Sequence, residues 1–287
     1  MQPSKAENSA VFITGASSGI GKACALLLDR AGFPVIAGVR KQADAEVLRQ
    51  EASQRLHTVF IDVADSASIE AAAAEVAALT HGSLFGLINN AGAAFGGPLE
   101  IFSLQDIRRL IDVNIVGVLA VTKALLPLLR QGRGRVINMG STSGILALPC
   151  LSVYAASKFA LKGISDALRL ELRPVGISVS LLEIGSVETP IWGKGIAFSD
   201  QSMAATGPDI RRLYGPLVEF SRLVALKSPR IRAEAVARMV YKALLAGKPK
   251  ACYTVGIDAW LFKLLACLPR SMRDWLFLKF VPRYGSE

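Results

Sequence analysis

Histidine and cysteine are scarce in this chain and poorly placed for metal chemistry. His57 and His81 are the two histidines of 287 residues, and Cys24, Cys150, Cys252 and Cys267 are scattered, with no Cys-x-x-Cys spacing. No zinc site is legible in that set. Single cysteines spread in this way fit core or pocket positions of a protein kept in a reducing compartment. Acidic side chains are also in the minority, 23 against 33 Lys and Arg, for a formal charge of +10. Such an excess invites a nucleic-acid or anionic-membrane partner. The cations are dispersed, however, at Arg108-Arg109, between Arg130 and Arg135, at Arg211-Arg212 and between Lys227 and Arg232, without interleaved aromatics. A strand-binding groove needs those stacking rings, so no nucleic acid is expected. Residues 1–9 are polar and lack the apolar run of a signal peptide. They read as a flexible N-terminus, and the expected location is cytoplasmic.

Apolar residues, by contrast, make up 52% of the chain. That supports a large core, read as one α/β domain over residues 10–256 with an apolar and basic tail over 257–287. Val11-Phe12-Ile13 is a short β-prone run that ends in Thr14-Gly15-Ala16-Ser17-Ser18-Gly19-Ile20-Gly21 and then a helical pattern from Ala23 to Arg30. Strand, glycine turn and helix in that order bring backbone N–H groups close to a pyrophosphate. Gly15, Ser17, Ser18, Gly19, Ile20 and Gly21 are therefore candidate cofactor contacts.

A second strand, Phe33 to Val39, ends without an acidic residue and runs into Arg40-Lys41. An acid there would bond the adenosine ribose and repel a 2′-phosphate, whereas Arg40 can pair with one. NADP(H) is the expected cofactor, with NAD(H) the alternative, since Ser18 leaves no basic residue inside the turn. His57 to Ile61 reads as a third strand that delivers Asp62 and Val63 to an adenine. Ser66 to Leu79 reads as a helix capped by Ser66, and Leu84 to Ile88 as a fourth strand running into Asn89, Asn90, Ala91 and Gly92. Alternating strands and helices predict a Rossmann-like, doubly wound parallel sheet of about seven strands with helices on both faces.

Leu104 to Leu129 reads as one long helix with the polar Asn114 inside it, an amide that needs a backbone carbonyl or water as partner. Arg135 to Met139 is a buried strand, and Ser141 follows it. Tyr154 and Lys158 stand four apart in a helix over 151–173, hence on one face. A nearby cation favours phenolate, so Lys158 is expected to lower the pKa of Tyr154, and the Ser141 hydroxyl can hold a carbonyl or alcohol oxygen. After a strand from Ile177 to Leu182, the glycine- and proline-bearing stretch through Trp192 to about Pro208 reads as irregular, within a lid over 190–228.

In these residues the chain resembles the short-chain dehydrogenase/reductase family, over about residues 10 to 256. The match comprises Thr14 to Gly21, Asp62, Asn89 to Gly92, Asn114, Ser141, Tyr154 and Lys158. The resemblance implies that Tyr154 is the acid/base, that Ser141 orients the substrate oxygen and that Lys158 binds the nicotinamide ribose. It implies that Asn114 holds a water of the proton relay, that Gly185, Val187 and Thr189 line the cofactor, and that the protein is a homodimer or homotetramer. Family members usually carry Pro-Gly after the sixth strand, and here the pair is Ile184-Gly185. The tail is similar to that of the branch acting on retinoids, hydroxysteroids and other lipophilic alcohols or ketones, for which Trp192 becomes a candidate substrate contact. A catalytically idle NADP(H)-binding sensor is the competing class, and it would have no need of an activated phenol.

The tail holds two apolar pieces, Trp260 to Leu265 and Trp275 to Phe280, separated by Pro269-Arg270. Neither reaches the ~20 residues of a transmembrane helix. Ser271 is the expected cap of the second piece, and Arg270, Arg273, Lys279 and Arg283 suit contact with a membrane surface.

Overall fold

The computed structural model describes residues 10–279. The N-terminal stretch 1–9 and the tail from Phe280 onward, Arg283 included, lie outside the described residues. Seven strands form one parallel sheet: β1 (Val11–Ile13), β2 (Val35–Val39), β3 (Leu56–Phe60), β4 (Gly86–Asn89), β5 (Arg135–Met139), β6 (Ser178–Ile184) and β7 (Cys252–Val255). Their order is β3-β2-β1-β4-β5-β6-β7. β1, β2, β4 and β5 are buried along their whole length. Strands covered on both faces read as near-continuous apolar runs, which is how they stand in the sequence.

The covering helices fall into two layers. On one face α1 (Gly19–Arg30) and α2 (Gln42–Glu51) pack with α9 (Ala233–Leu245) through Cys24, Leu28, Leu48, Val236, Val240 and Leu244. On the other, α3 (Ser66–Leu79), α5 (Gly117–Gln131) and α6 (Ser152–Leu172) supply Ile69, Val76, Val121, Leu125, Leu129 and Leu172. The chain leaves β3 at one edge and re-enters the sheet at β4, beside β1. That reversal opens a crevice between the carboxyl ends of β1 and β4, where ligands of such sheets bind.

Three local expectations are corrected. Asp65, not Ser66, caps α3, its carboxylate accepting the Ala67 N–H at 3.0 Å. The stretch after Trp192 is helical rather than irregular, as α7 (Ile191–Ala204) and α8 (Pro208–Lys227). Pro208 occupies the first turn, where its missing N–H costs nothing. In α7, a Cβ at Gly195 would stand 3.0 Å from the Ala94 carbonyl oxygen, so the glycine serves close packing rather than irregularity. The long helix read over 104–129 is α4 (Leu104–Ile111), a π-helical turn (Asp112–Val116) and α5. By length and apolarity Leu104–Gln131 could cross a membrane, but Leu110, Val121, Leu125 and Leu129 are buried in this protein's core.

The tail begins with α10 (Ile257–Ala266) and α11 (Arg270–Leu278). Pro269, not Ser271, precedes α11 as its N-cap. An ion pair fastens α10 to the sheet: Lys263 Nζ meets the 3% exposed Glu183 at 2.6 Å, with Lys162 at 3.5 Å. Burial raises the carboxyl pKa, but the Lys263 hydrogen bond and the two ammonium charges outweigh it, leaving the group below its usual value. A depressed carboxylate stabilises the fold above its unfolded pKa, and that contribution disappears as pH falls through the folded one. Lys263→Met is expected to cost about 2–3 kcal/mol, the low side of a broken buried pair because the lysine is partly in solvent. Urea unfolding from pH 4 to 7 checks this, with the variant expected to lose less stability than wild type on acidification.

Candidate active site

At the switch point, the turn after β1 lies against the end of β4. Thr14 Oγ1 accepts the N–H groups of Asn90 and Ala91, each at 3.0 Å. Asn90 returns its side-chain N–H groups to the carbonyls of Thr14 and Gly15, both at 3.0 Å. The Asn90 side-chain N–H groups are thus engaged in shaping the turn. Gly15 (φ +66) and Gly19 (φ +53) take left-handed conformations, and a Cβ on Gly15 would lie 2.9 Å from the Ala91 Cα. At Gly21 a Cβ would overlap the Gly15 carbonyl and the Asn90 amide.

Ser18 stands at the N-cap of α1 without a side-chain capping bond, and the first turn holds no acidic residue. Its free N–H groups and the helix dipole suit an anion, and the bare glycine backbone leaves room for a pyrophosphate to approach. Arg40 emerges exposed at the end of β2 and forms no ion pair among the described residues. Asp62 follows β3, where its carboxylate accepts the Ala64 N–H at 3.0 Å, and Val63 is buried beside it. The loop after β6 completes the rim, with Gly185, the buried Val187, and Thr189, whose Cγ2 lies 3.0 Å from the Cβ position of Gly19. One edge of the sheet therefore gathers all of the cofactor candidates.

The polar side chains meet between β5 and α6. Asn114, 1% exposed in the π turn, bonds both main-chain groups of Ala93: its Nδ2 donates to the carbonyl at 2.9 Å and its Oδ1 accepts the N–H at 2.8 Å. Its second N–H goes to Ser157 Oγ at 3.0 Å, and that hydroxyl donates to the Tyr154 carbonyl at 2.7 Å. The expected partner is thus found as a backbone carbonyl, and both amide N–H groups end on protein. A π turn frees a helix carbonyl and recurs at functional sites.

Ser141 follows β5, with its Oγ accepting the Ser143 N–H at 3.1 Å and its side chain near enough to Tyr154 to favour the phenolate. Lys158 Nζ lies 5.7 Å from the Tyr154 ring centroid and donates to the Met139 carbonyl at 2.9 Å. Burial raises the Tyr154 pKa and the Ser141 side chain only partly opposes it, so the phenol stands above its usual value. The lowering expected from Lys158 is not seen, because desolvation of the phenolate outweighs a cation turned toward Met139. Burial also brings Lys158 down to about 8.

Trp192 stands in the first turn of α7. Its Nε1 donates to the Val187 carbonyl at 3.0 Å, and Arg230 lies 5.7 Å from the ring centroid, so the indole braces the start of α7. A cleft of about 500 Å³ opens beside the first turn of α6, which carries Tyr154. Pro98, Leu99, Pro149, Cys150 and Leu217 line it, with Glu100 and Tyr214 as polar members. Cys150 was read from the sequence as a core or pocket residue, and Tyr214 and Leu217 fall in the expected lid segment; Pro98, Leu99, Glu100 and Pro149 were not singled out. Phe198 of α7 fastens the lid to the loop after β4, its ring 4.8 Å from Phe95 and 6.0 Å from Phe102. Asn89, marked in the sequence as the start of the Asn89 to Gly92 stretch, is buried with Asn138 and Thr122 in one hydrogen-bonded chain, a set of partners that no local signal showed.

A parallel sheet of this order with a glycine turn at its reversal places the chain among Rossmann-type dinucleotide-binding proteins. The family model described as short chain dehydrogenase matches residues 9–197. Retinol dehydrogenase 5 of Mus musculus is 37% identical over 97% of this chain and 90% of its own length. An uncharacterized oxidoreductase, YbbO, of Escherichia coli strain K12 is 38% identical over 94% of each chain. A short chain dehydrogenase of Burkholderia cenocepacia, solved in complex with NADP, superposes with a TM-score of 0.75 at 25% identity, covering 97% of this chain and 99% of its own. The chain belongs to the short-chain dehydrogenase family, as an oxidoreductase that uses a nicotinamide cofactor on a small-molecule substrate.

Proposed function

We propose that the protein is an NADP(H)-dependent reductase and dehydrogenase of lipophilic carbonyls and alcohols, of retinoid or steroid size. The observation that carries this reading is Tyr154, held between Ser141 and Lys158 beside an apolar cleft. A cofactor-binding sensor would not need a half-buried phenol in that setting. The uncapped α1 and the glycine turn would hold the pyrophosphate, Asp62 and Val63 the adenine, Arg40 a 2′-phosphate, and Lys158 with Gly185, Val187 and Thr189 the nicotinamide end. When bound, the nicotinamide supplies or accepts a hydride. Ser141 holds the substrate oxygen, and Tyr154 gives it a proton during reduction or takes one during oxidation. Lys158 places its cation near the ring face and the Met139 carbonyl. Asn114 fixes the wall formed by Ala93 and, through Ser157, the backbone of Tyr154. A relay water would meet the main-chain carbonyl at the π turn, since the amide N–H groups are engaged.

The raised Tyr154 pKa sets the pH dependence. Below it the phenol is protonated and serves as general acid for reduction; above it the phenolate serves as base for oxidation. Oxidation kcat/KM is expected to rise nearly tenfold per pH unit through neutrality while reduction stays level and then falls. Tyr154→Phe should lower both by about 10²–10⁴-fold and leave cofactor affinity nearly intact. Steady-state rates with a panel of lipophilic ketones and aldehydes, with cofactor titrations alongside, check this, and an active Phe variant would remove the assignment.

Cofactor choice rests on Arg40, supported by its exposure at the end of β2 with no carboxylate paired to it among the described residues. Arg40→Asp is expected to weaken NADPH binding by about 1.5–3 kcal/mol, roughly 10- to 100-fold, and to shift preference toward NADH. Titration of both reduced cofactors measures the shift, and a wild type preferring NADH would contradict it.

We further read the protein as a cytoplasmic homodimer or homotetramer whose tail touches a membrane surface. Support for oligomerisation comes from Val116, Leu119, Phe159 and Leu170, exposed on α5, α6 and the π turn. For membrane contact it comes from Trp260, Leu261, Leu264, Trp275 and Leu278, 53–69% exposed beside Arg270 and Lys279, whose Nζ lies 3.6 Å from the Trp275 ring centroid. Rings at an interface with cations among anionic headgroups suit such contact. Sedimentation alone and with anionic vesicles reads both properties: Trp275→Glu should release a folded protein from vesicles without changing its oligomeric state.

A further inference from the structure

One tail residue outside this set reaches into the site. Asp258, in the first turn of α10, accepts the Ser186 N–H through Oδ2 at 2.6 Å, across 72 positions of sequence. Its Oδ1 accepts the Ala259 N–H at 3.0 Å. Ser186 belongs to the loop after β6, whose backbone–backbone bonds run from the Gly185 N–H to the Val255 carbonyl and between Ser186, Glu188 and Ile231, all at 2.9 Å. Two glycines make room for the carboxylate. A Cβ at Gly185 would overlap it, and at Gly256, where φ is +104, a Cβ would stand 2.5 Å from Oδ1. The loop is thus gripped from the 231 side by backbone and from the tail side by a charge-assisted bond, which is shorter and stronger than a neutral one.

We propose that Asp258 is a positioning residue that fixes the loop after β6 and so sets the wall formed by Gly185, Val187 and Thr189. The inference rests on the reading of that wall as the nicotinamide side of the cofactor site. Ile184 leaves the backbone entering Gly185 with both of its soft dihedrals, where a proline would lock one. Asp258 supplies the missing restraint from outside the loop, through the Ser186 N–H. Thr189 lies against Gly19, so the restraint extends to the glycine turn. The docking of the tail and the geometry of the cofactor wall are thereby coupled through one carboxylate.

The test uses the full chain as Asp258→Ala, Asp258→Asn and Lys263→Met. The lysine variant loosens the same helix through the Glu183 pair without touching Ser186. Amide exchange of the segment 184–190 is followed together with NADPH affinity and the thermal midpoint. Asp258→Ala is expected to speed exchange of the Ser186 amide roughly tenfold, the scale of one lost hydrogen bond, and to raise the NADPH Kd by a similar factor. Asp258→Asn, which keeps an acceptor, should lie between, and Lys263→Met should lower the thermal midpoint with loop exchange and Kd at wild-type values. Unchanged exchange in a folded Asp258→Ala protein would overturn the tether. Equal acceleration by Lys263→Met would overturn it too, in favour of general tail docking. Faster exchange in a chain whose wild type binds neither reduced cofactor would uphold the tether and overturn the functional reading instead.

Discussion

At the carboxyl edge of a parallel sheet, strands run out and their last N–H and C=O groups must find partners away from the ladder. The chain meets that constraint with side chains, and the shape of the site follows from them. Asn90 and Thr14 close the end of β4 onto the glycine turn, Asn114 closes Ala93 onto the π turn, and Lys158 takes the Met139 carbonyl. Each bond satisfies a group that burial would otherwise leave costly, and each also fixes a wall. Positioning and folding are here the same set of bonds.

What can be read from sequence tracks how local the cause is. Tyr154 and Lys158 lie four apart on one helix, and the glycine turn lies between an adjoining strand and helix, so spacing alone brings them together. Sheet class follows from apolar runs alternating with helical patterns, for the same reason. Non-local causes are invisible in that way. The π turn at Asn114 accompanies bonds to Ala93, 21 positions away, and Asp258 acts on Ser186 across 72. Glycine and proline misled over 190–208, because Gly195 serves contact with Ala94 and Pro208 starts a helix.

The electrostatics of Tyr154 show the same limit. A cation four residues along predicts an acidified phenol, yet burial dominates and the phenol is less acidic than usual. Charge spacing is written in the sequence, but the solvent excluded from Tyr154 is a property of the packed chain. A phenol with a raised pKa stays protonated near neutrality, the form that can donate to a carbonyl oxygen, at the cost of being a weaker acid than one tuned to that pH. The same packing hid the cleft, since Pro98, Pro149, Cys150 and Leu217 converge from three separate segments.

Hydride transfer to a lipophilic carbonyl is the central claim, and isotope transfer tests it most directly. A lipophilic ketone or aldehyde is incubated with the full-length protein and NADPH deuterated on the transferred face of nicotinamide C4, and the alcohol is analysed by mass spectrometry. One deuterium on the carbinol carbon is the predicted result. Product without deuterium there, or no product from any member of a broad ketone and aldehyde panel, would contradict it.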